Sequence, residues 1–254
     1  METSTTTFSI PKDISKPIQL TADVLGPETV TIKVGPEEKI FTVHKKLLCD
    51  RSDFFLKAFS NGFAEAETGI ISFPEDTEEA FAKFVTWLYT GNFILPNSPT
   101  IKRSEEEAEF TGQHLIPTFI LADKLCVNEL MNKVMDSFAD FYKVRQLIPN
   151  AITTHNIFQQ LGAQSKLCQY TAGGVARLTF VAMSGHDKTK DHIQNYIDVC
   201  EANPEFFQVV FEWQHKYGDK FRAGRNFHAL SKELGRCFFH VHAKGEICHL
   251  QKDD

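Results

Sequence analysis

The chain has 254 residues, 42% hydrophobic and 24% charged, with a formal net charge of −6. This is a globular composition, which excludes a wholly disordered or fibrous chain, and the length suffices for a core without disulfide staples. Apolar runs stop far short of the ~20 residues of a membrane span, and the Thr-rich residues 1–9 lack the features of a secretory signal, so an intracellular protein is expected.

In chain order, residues 1–24 mix Thr, Ser, Pro and Lys without periodicity and are expected to be a disordered lead-in. Thr29–Val34 alternates, with Val30, Ile32 and Val34 on one face. A Gly35-Pro36 turn follows, and 39–43 resumes a β-branched run, so a hairpin is predicted. From His44 the period becomes helical: Leu47, Leu48, Arg51, Phe54, Phe55, Ala58 and Phe59 share one side. Residues 69–73 read as a strand. Asp76 with Glu79 forms a capping-box pattern ahead of Phe81, Phe84, Val85 and Leu88, and Gly91 offers a left-handed stop. The acidic stretch 97–113 reads as an exposed loop, followed by amphipathic helices over 115–125 and 128–142. Beyond Val144 the helical candidates are 147–160, 167–183 (interrupted at Gly173-Gly174), 190–200 and 206–217, the last opened by Asn203-Pro204-Glu205. The order is β-β-α-α-β-α-α-α and then helices only. The fold class is α+β followed by an all-α region.

Several stretches together carry a resemblance. They are Val30-Thr31-Ile32-Lys33-Val34-Gly35, Phe41-Thr42-Val43-His44-Lys45-Lys46-Leu47-Leu48, Arg51-Ser52-Asp53-Phe54-Phe55, Ile71-Ser72-Phe73, Leu88-Tyr89-Thr90-Gly91 and Leu121-Ala122-Asp123-Lys124-Leu125. In this order they resemble a BTB (POZ) domain, and the layout is similar to short fungal BTB proteins with a helical extension. The resemblance implies a small β-sheet flanked by helices over 25–143; the residues themselves place a helical extension over 144–236 and a Cys/His-containing tail over 237–254. It also implies a non-enzymatic adaptor that binds proteins, by homodimerisation or by docking a cullin-type ubiquitin-ligase scaffold while the extension holds a client. A transcription-associated scaffold without a ligase role is the alternative.

Cullin-recruiting relatives carry a hydrophobic-x-Glu motif after the helix with the Phe pair. Phe63-Ala64-Glu65 stands in that place, so the resemblance implies a partner-binding set of Phe63, Glu65 and Phe59. The residues alone leave open whether Phe63 instead packs on its own domain. Transcription-factor members build a homodimer from a long helix and an Asp before the first strand. Here residues 19–28 contain Gly26-Pro27, and Thr29 occupies the Asp position. His44 has no acid, Ser or Cys beside it and reads as a helix-start histidine.

The C-terminal part differs in charge: 13 basic against 22 acidic residues in 1–142, but 14 against 11 in 143–254. The overall acidity argues against a dedicated nucleic-acid binder, and the run Lys216, Lys220, Arg222, Arg225, Lys232, Arg236 reads as a solvated face. Six cysteines form no disulfide framework, and no cofactor is implied. Cys237, His240, His242 and Cys248 offer ligand types suited to Zn²⁺ in a spacing unlike a standard finger. His240 and His242 would share a face only if the segment is extended. The other reading is a hook packing Phe238, Phe239 and Leu250 on the helices. Gly173-Gly174 lacks the Lys-Ser/Thr of a phosphate loop, and the adjacency of Ser184-Gly185-His186-Asp187 is no argument for a triad.

Overall fold

The computed structural model describes residues 19–60, 62–95, 104–183, 190–224, 226–243 and 248. It divides into two compact units. The first carries the sheet, the helices up to Ile94, the link Leu125–Val127 and Cys248; the second carries the helices of Leu95–Lys124 and Asn128–Glu246. The division by packing therefore falls inside the 25–143 segment expected from the sequence, because its later helices share a core with the extension.

In the first unit, β1 (Thr29–Val34) and β2 (Lys39–His44) pair antiparallel, Thr29 opposite His44 and Val34 opposite Lys39. Gly35 turns the chain at φ +75°, a conformation that favours glycine. The predicted strand at 69–73 is β3 (Ile70–Phe73). It runs parallel to β1 on its other side, giving the order β2-β1-β3. Val30, Ile32, Val34, Ile71 and Phe73 are all buried, as alternation on a half-covered sheet requires. Ahead of β1, α1 (Ala22–Leu25) is a single turn capped by the Thr21 hydroxyl, so the last part of the expected lead-in is helical; residues 1–18 lie outside the described set.

The apolar side that follows β2 is carried by two helices, α2 (Lys45–Arg51) and α3 (Asp53–Ala58). Ser52 separates them in an extended conformation (φ −142°, ψ 118°). Its hydroxyl accepts the Phe55 N–H at 3.3 Å and donates to the Leu125 carbonyl at 2.6 Å, so one side chain caps α3 and ties it to the link segment. After α4 (Ala64–Thr68) and β3 comes α5 (Glu78–Thr90). Its cap is Thr77, whose hydroxyl accepts the Ala80 N–H at 3.2 Å, rather than the expected Asp76. Glu78 and Glu79 then both fall in the first turn, where the helix dipole favours acids. Gly91 closes α5 at φ +72° as expected. Phe55 sits at the centre of this unit, with the rings of Phe54, Phe59, Phe73 and Phe84 at 5.3, 6.0, 6.1 and 6.1 Å.

The second unit is helical throughout: α6 (Ser104–His114), α7 (Ile116–Lys124), α8 (Asn128–Arg145), α9 (Ala151–Gln160), α10 (Lys166–Met183), α11 (Lys190–Ala202), α12 (Pro204–Arg222) and α13 (Phe227–Leu234), ending in a 3₁₀ turn, Arg236–Phe239. Two expectations are corrected here. Most of the supposed loop 97–113 is α6. Its Phe110 is buried and stacks on Phe141 with centroids 5.2 Å apart, and its Thr111 is fully buried 3.5 Å from Thr153. Residues 97–103 lie outside the described set.

Gly173-Gly174, in turn, does not interrupt α10; it lets neighbouring side chains approach the helix axis. A Cβ on Gly173 would lie 2.6 Å from Phe227 and 3.1 Å from Trp213, and one on Gly174 3.1 Å from Ile148. The helix propensity lost at two glycines is offset by this packing. At the start of α12, Pro204 occupies the first turn as expected, but the Asn203 side chain makes no capping bond and instead lies 3.2 Å from His155 Nδ1.

This packing sets two opposite expectations for one class of substitution. Gly173→Ala should destabilise the protein by about 1–3 kcal/mol through overpacking. Gly218→Ala in α12, whose Cβ would meet only Phe180 at 3.6 Å, should be neutral or stabilising by up to ~1 kcal/mol. Urea unfolding of the two variants beside the parent checks both signs.

Candidate protein-interaction site

The α3–α4 connection positions the residues of interest. Phe59 closes α3 with its ring parallel to that of Phe55 (9° between planes), and only 7% of it is exposed. Phe59 is therefore a core residue, and the expectation of a surface contact at this position is corrected. The chain then turns through Gly62 at φ +102°, and Phe63 follows in an extended conformation as the residue that begins α4. Phe63 is 54% exposed, which answers the question the sequence left open: its ring does not pack into the domain.

The five-residue α4 is too short to persist on its own, and it is pinned at both ends. The Phe63 carbonyl accepts the Ala66 N–H at 3.0 Å, and the Glu65 carbonyl accepts the Gly69 N–H at 2.9 Å, with Gly69 left-handed at φ +66°. Glu65 is half-buried in the first turn. Leu56 on α3 and Ile70 at the start of β3 also keep large exposed apolar side chains. An apolar ring beside a carboxylate on a pinned turn gives a partner both buried area and an orienting charge.

His44 engages Tyr89. The Tyr89 hydroxyl accepts the His44 backbone N–H at 3.2 Å and lies 2.7 Å from His44 Nδ1. The two hydrogen bonds together orient the imidazole; both side chains are half-buried. This pair ties the end of β2 to α5, a structural role. The thiols at Cys49, Cys168 and Cys200 are pushed up by burial, Cys168 to about 12, which keeps them protonated and poor nucleophiles. A cavity of about 670 Å³ in the second unit is lined by Asp123, Ser165, Lys166 and Glu205 among others, and brings no His or Cys to a carboxylate. Ser184-Gly185-His186-Asp187 lies outside the described residues.

In the C-terminal region the hook forms, and part of the candidate ligand set gathers beside it. Phe239 is buried, 5.2 Å from Tyr170 and stacked on Trp213 at 6.2 Å, so the hook exists at Phe238-Phe239; Leu250 lies outside the described residues. Cys237, His240 and His242 also converge, their ligand atoms within 4.8 Å of one another. Three of the six cations of the basic run pair with acids: Lys220 with Glu233, Arg222 with Asp219 at 2.8 Å, and Arg236 with Asp140 at 2.6 Å. Paired cations of this kind are a poor electrostatic footprint for a polyanion.

Comparison with known protein families matches residues 27–141 to the BTB/POZ domain, over the three-stranded sheet and the helices from α2 into α8. This segment is a BTB/POZ domain. A comparison with curated proteins finds no match. BTB/POZ domains bind proteins and are not catalytic, so the segment is a protein-interaction module. Among the described residues, no helix is long and apolar enough to cross a membrane.

The sequence contained the Phe63-Ala64-Glu65 pattern but not the exposure that separates Phe63 from Phe59. The apolar period is the same for both, and the turn at Gly62 was the only signal. Truncation should separate them. Phe59→Ala should cost about 3–5 kcal/mol as a buried aromatic deletion, and Phe63→Ala within about 0.5 kcal/mol as a surface change, measured by chemical denaturation.

Proposed function

We propose that this protein is an adaptor whose BTB domain docks a cullin-type ubiquitin-ligase scaffold through Phe63 and Glu65, with the helical extension holding a client. One observation carries the reading: the sole residue of the Phe59/Phe63 pair left exposed, at 54%, is the one that begins α4 with Glu65 in its first turn. Covering the exposed part of that ring supplies on the order of 1–2 kcal/mol, and Glu65 sets the orientation of the partner. Leu56 on the preceding helix extends the same apolar character. The layout similar to short fungal BTB proteins is compatible with an intracellular adaptor.

Self-association remains the other use of such a domain. α1 is a single turn with no buried residue, so it supplies none of the apolar area that a swapped helix contributes.

The test is co-purification. Full-length protein carrying Phe63→Ala and Glu65→Ala should lose at least about tenfold in cullin binding, with its unfolding midpoint unchanged. Undiminished cullin recovery by the double variant would remove this mechanism, as would failure of the parent chain to bind any cullin.

A further inference from the structure

We propose that Cys237, His240 and His242 bind one Zn²⁺ ion. The arrangement is built from outside inward. Phe239 anchors the 3₁₀ turn Arg236–Phe239 between Tyr170 and Trp213, and Lys166 Nζ donates to the Phe238 carbonyl at 3.0 Å. The chain leaves that turn extended at His240 (φ −99°, ψ 158°). Asn132 of α8 then grips the next residue as a neighbouring strand would: its Oδ1 accepts the Val241 N–H at 2.8 Å and its Nδ2 donates to the Val241 carbonyl at 2.9 Å. With Val241 clamped, residues on either side of it point the same way, and the rings of His240 and His242 stand with centroids 5.8 Å apart. The turn brings Cys237 back onto them, its Sγ 3.1 Å from His242 Nε2.

The donor set fits the ion. Tetrahedral Zn²⁺ with bonds of about 2.3 Å to sulfur and about 2.0–2.1 Å to nitrogen places ligand atoms roughly 3.5 Å apart, and the three atoms here lie within 4.8 Å of one another. One thiolate and two imidazoles are ligand types that Zn²⁺ takes.

The surroundings of His240 support the same reading. This side chain is buried, and its Nε2 lies 3.1 Å from Asp136 Oδ1. With Nε2 engaged by the carboxylate, Nδ1 is the atom that meets the metal, the carboxylate–histidine–zinc arrangement in which the outer partner sets the tautomer. Asp136 is itself held by Arg236 at 3.4 Å, and Arg236 also donates to Asp140 at 2.6 Å.

The experiment measures metal in the full-length protein by inductively coupled plasma mass spectrometry after loading with zinc and dialysis. About one zinc per chain is expected, together with a thiolate-to-metal charge-transfer band when Co²⁺ replaces it. Cys237→Ser with His242→Ala should abolish binding, and Asp136→Asn should weaken it by about 10–100-fold. Cys126→Ser, at an exposed thiol, should retain about one zinc. Less than about a tenth of an equivalent in the parent after loading would overturn the site; so would full occupancy in the Cys237/His242 double variant. The parent measurement decides the matter even if that variant fails to fold.

Discussion

The packing of Phe55 is the constraint on which the first unit depends. Its fully buried ring meets Phe54, Phe59, Phe73 and Phe84, so one side chain joins α3, β3 and α5. Phenylalanine suits this position because it brings large apolar area and edge-to-face contacts with no polar tip to satisfy. Ser52 makes the placement possible: by breaking the helix before Phe55 and bonding to the Leu125 carbonyl, it aims α3 at the sheet. The exposure of Phe63 is a consequence of this. Once Phe59 is drawn in against Phe55, the chain must turn away at Gly62, and the next aromatic residue, Phe63, is left facing solvent.

The second unit solves a similar problem with glycine. Gly173 allows the Phe227 and Trp213 rings to reach the backbone of α10, and the same Trp213, with Tyr170, receives Phe239 from the C-terminal segment. The aromatic hook thereby delivers Cys237, His240 and His242 to one place, with α8 supplying Asn132 and Asp136 to hold and orient them. Hook and ligand cluster are parts of one device: apolar burial places the segment, and a bound ion would fasten it.

Much of the BTB domain was legible in the sequence because its elements are local. The alternation of Val30, Ile32 and Val34, the turn at Gly35, the strand at 70–73 and the left-handed stop at Gly91 each follow from backbone preferences within a few residues. The misreadings share one origin. Helix α6 was hidden because dense acidic charge masks the buried side chains of Phe110 and Thr111. The cap at Thr77 was displaced by one residue because Asp76 offers an equally good side chain. The Gly173-Gly174 pair looked like an interruption because its benefit lies in Phe227, more than fifty residues away.

By itself the sequence determined the α+β class, the BTB signature, the types of ligand in the tail and the Phe63-Ala64-Glu65 pattern. These depend on residue chemistry and short-range periodicity. Only the tertiary structure decided which phenylalanine is buried and which exposed, that β3 lies parallel to β1, and that His240 meets Asp136 across more than a hundred residues of chain. The physical reason is that burial and long-range contact are properties of the packed whole. A side chain's intrinsic preference is the same at position 59 as at position 63, and the surroundings supplied by the fold alone make one of them core and the other surface.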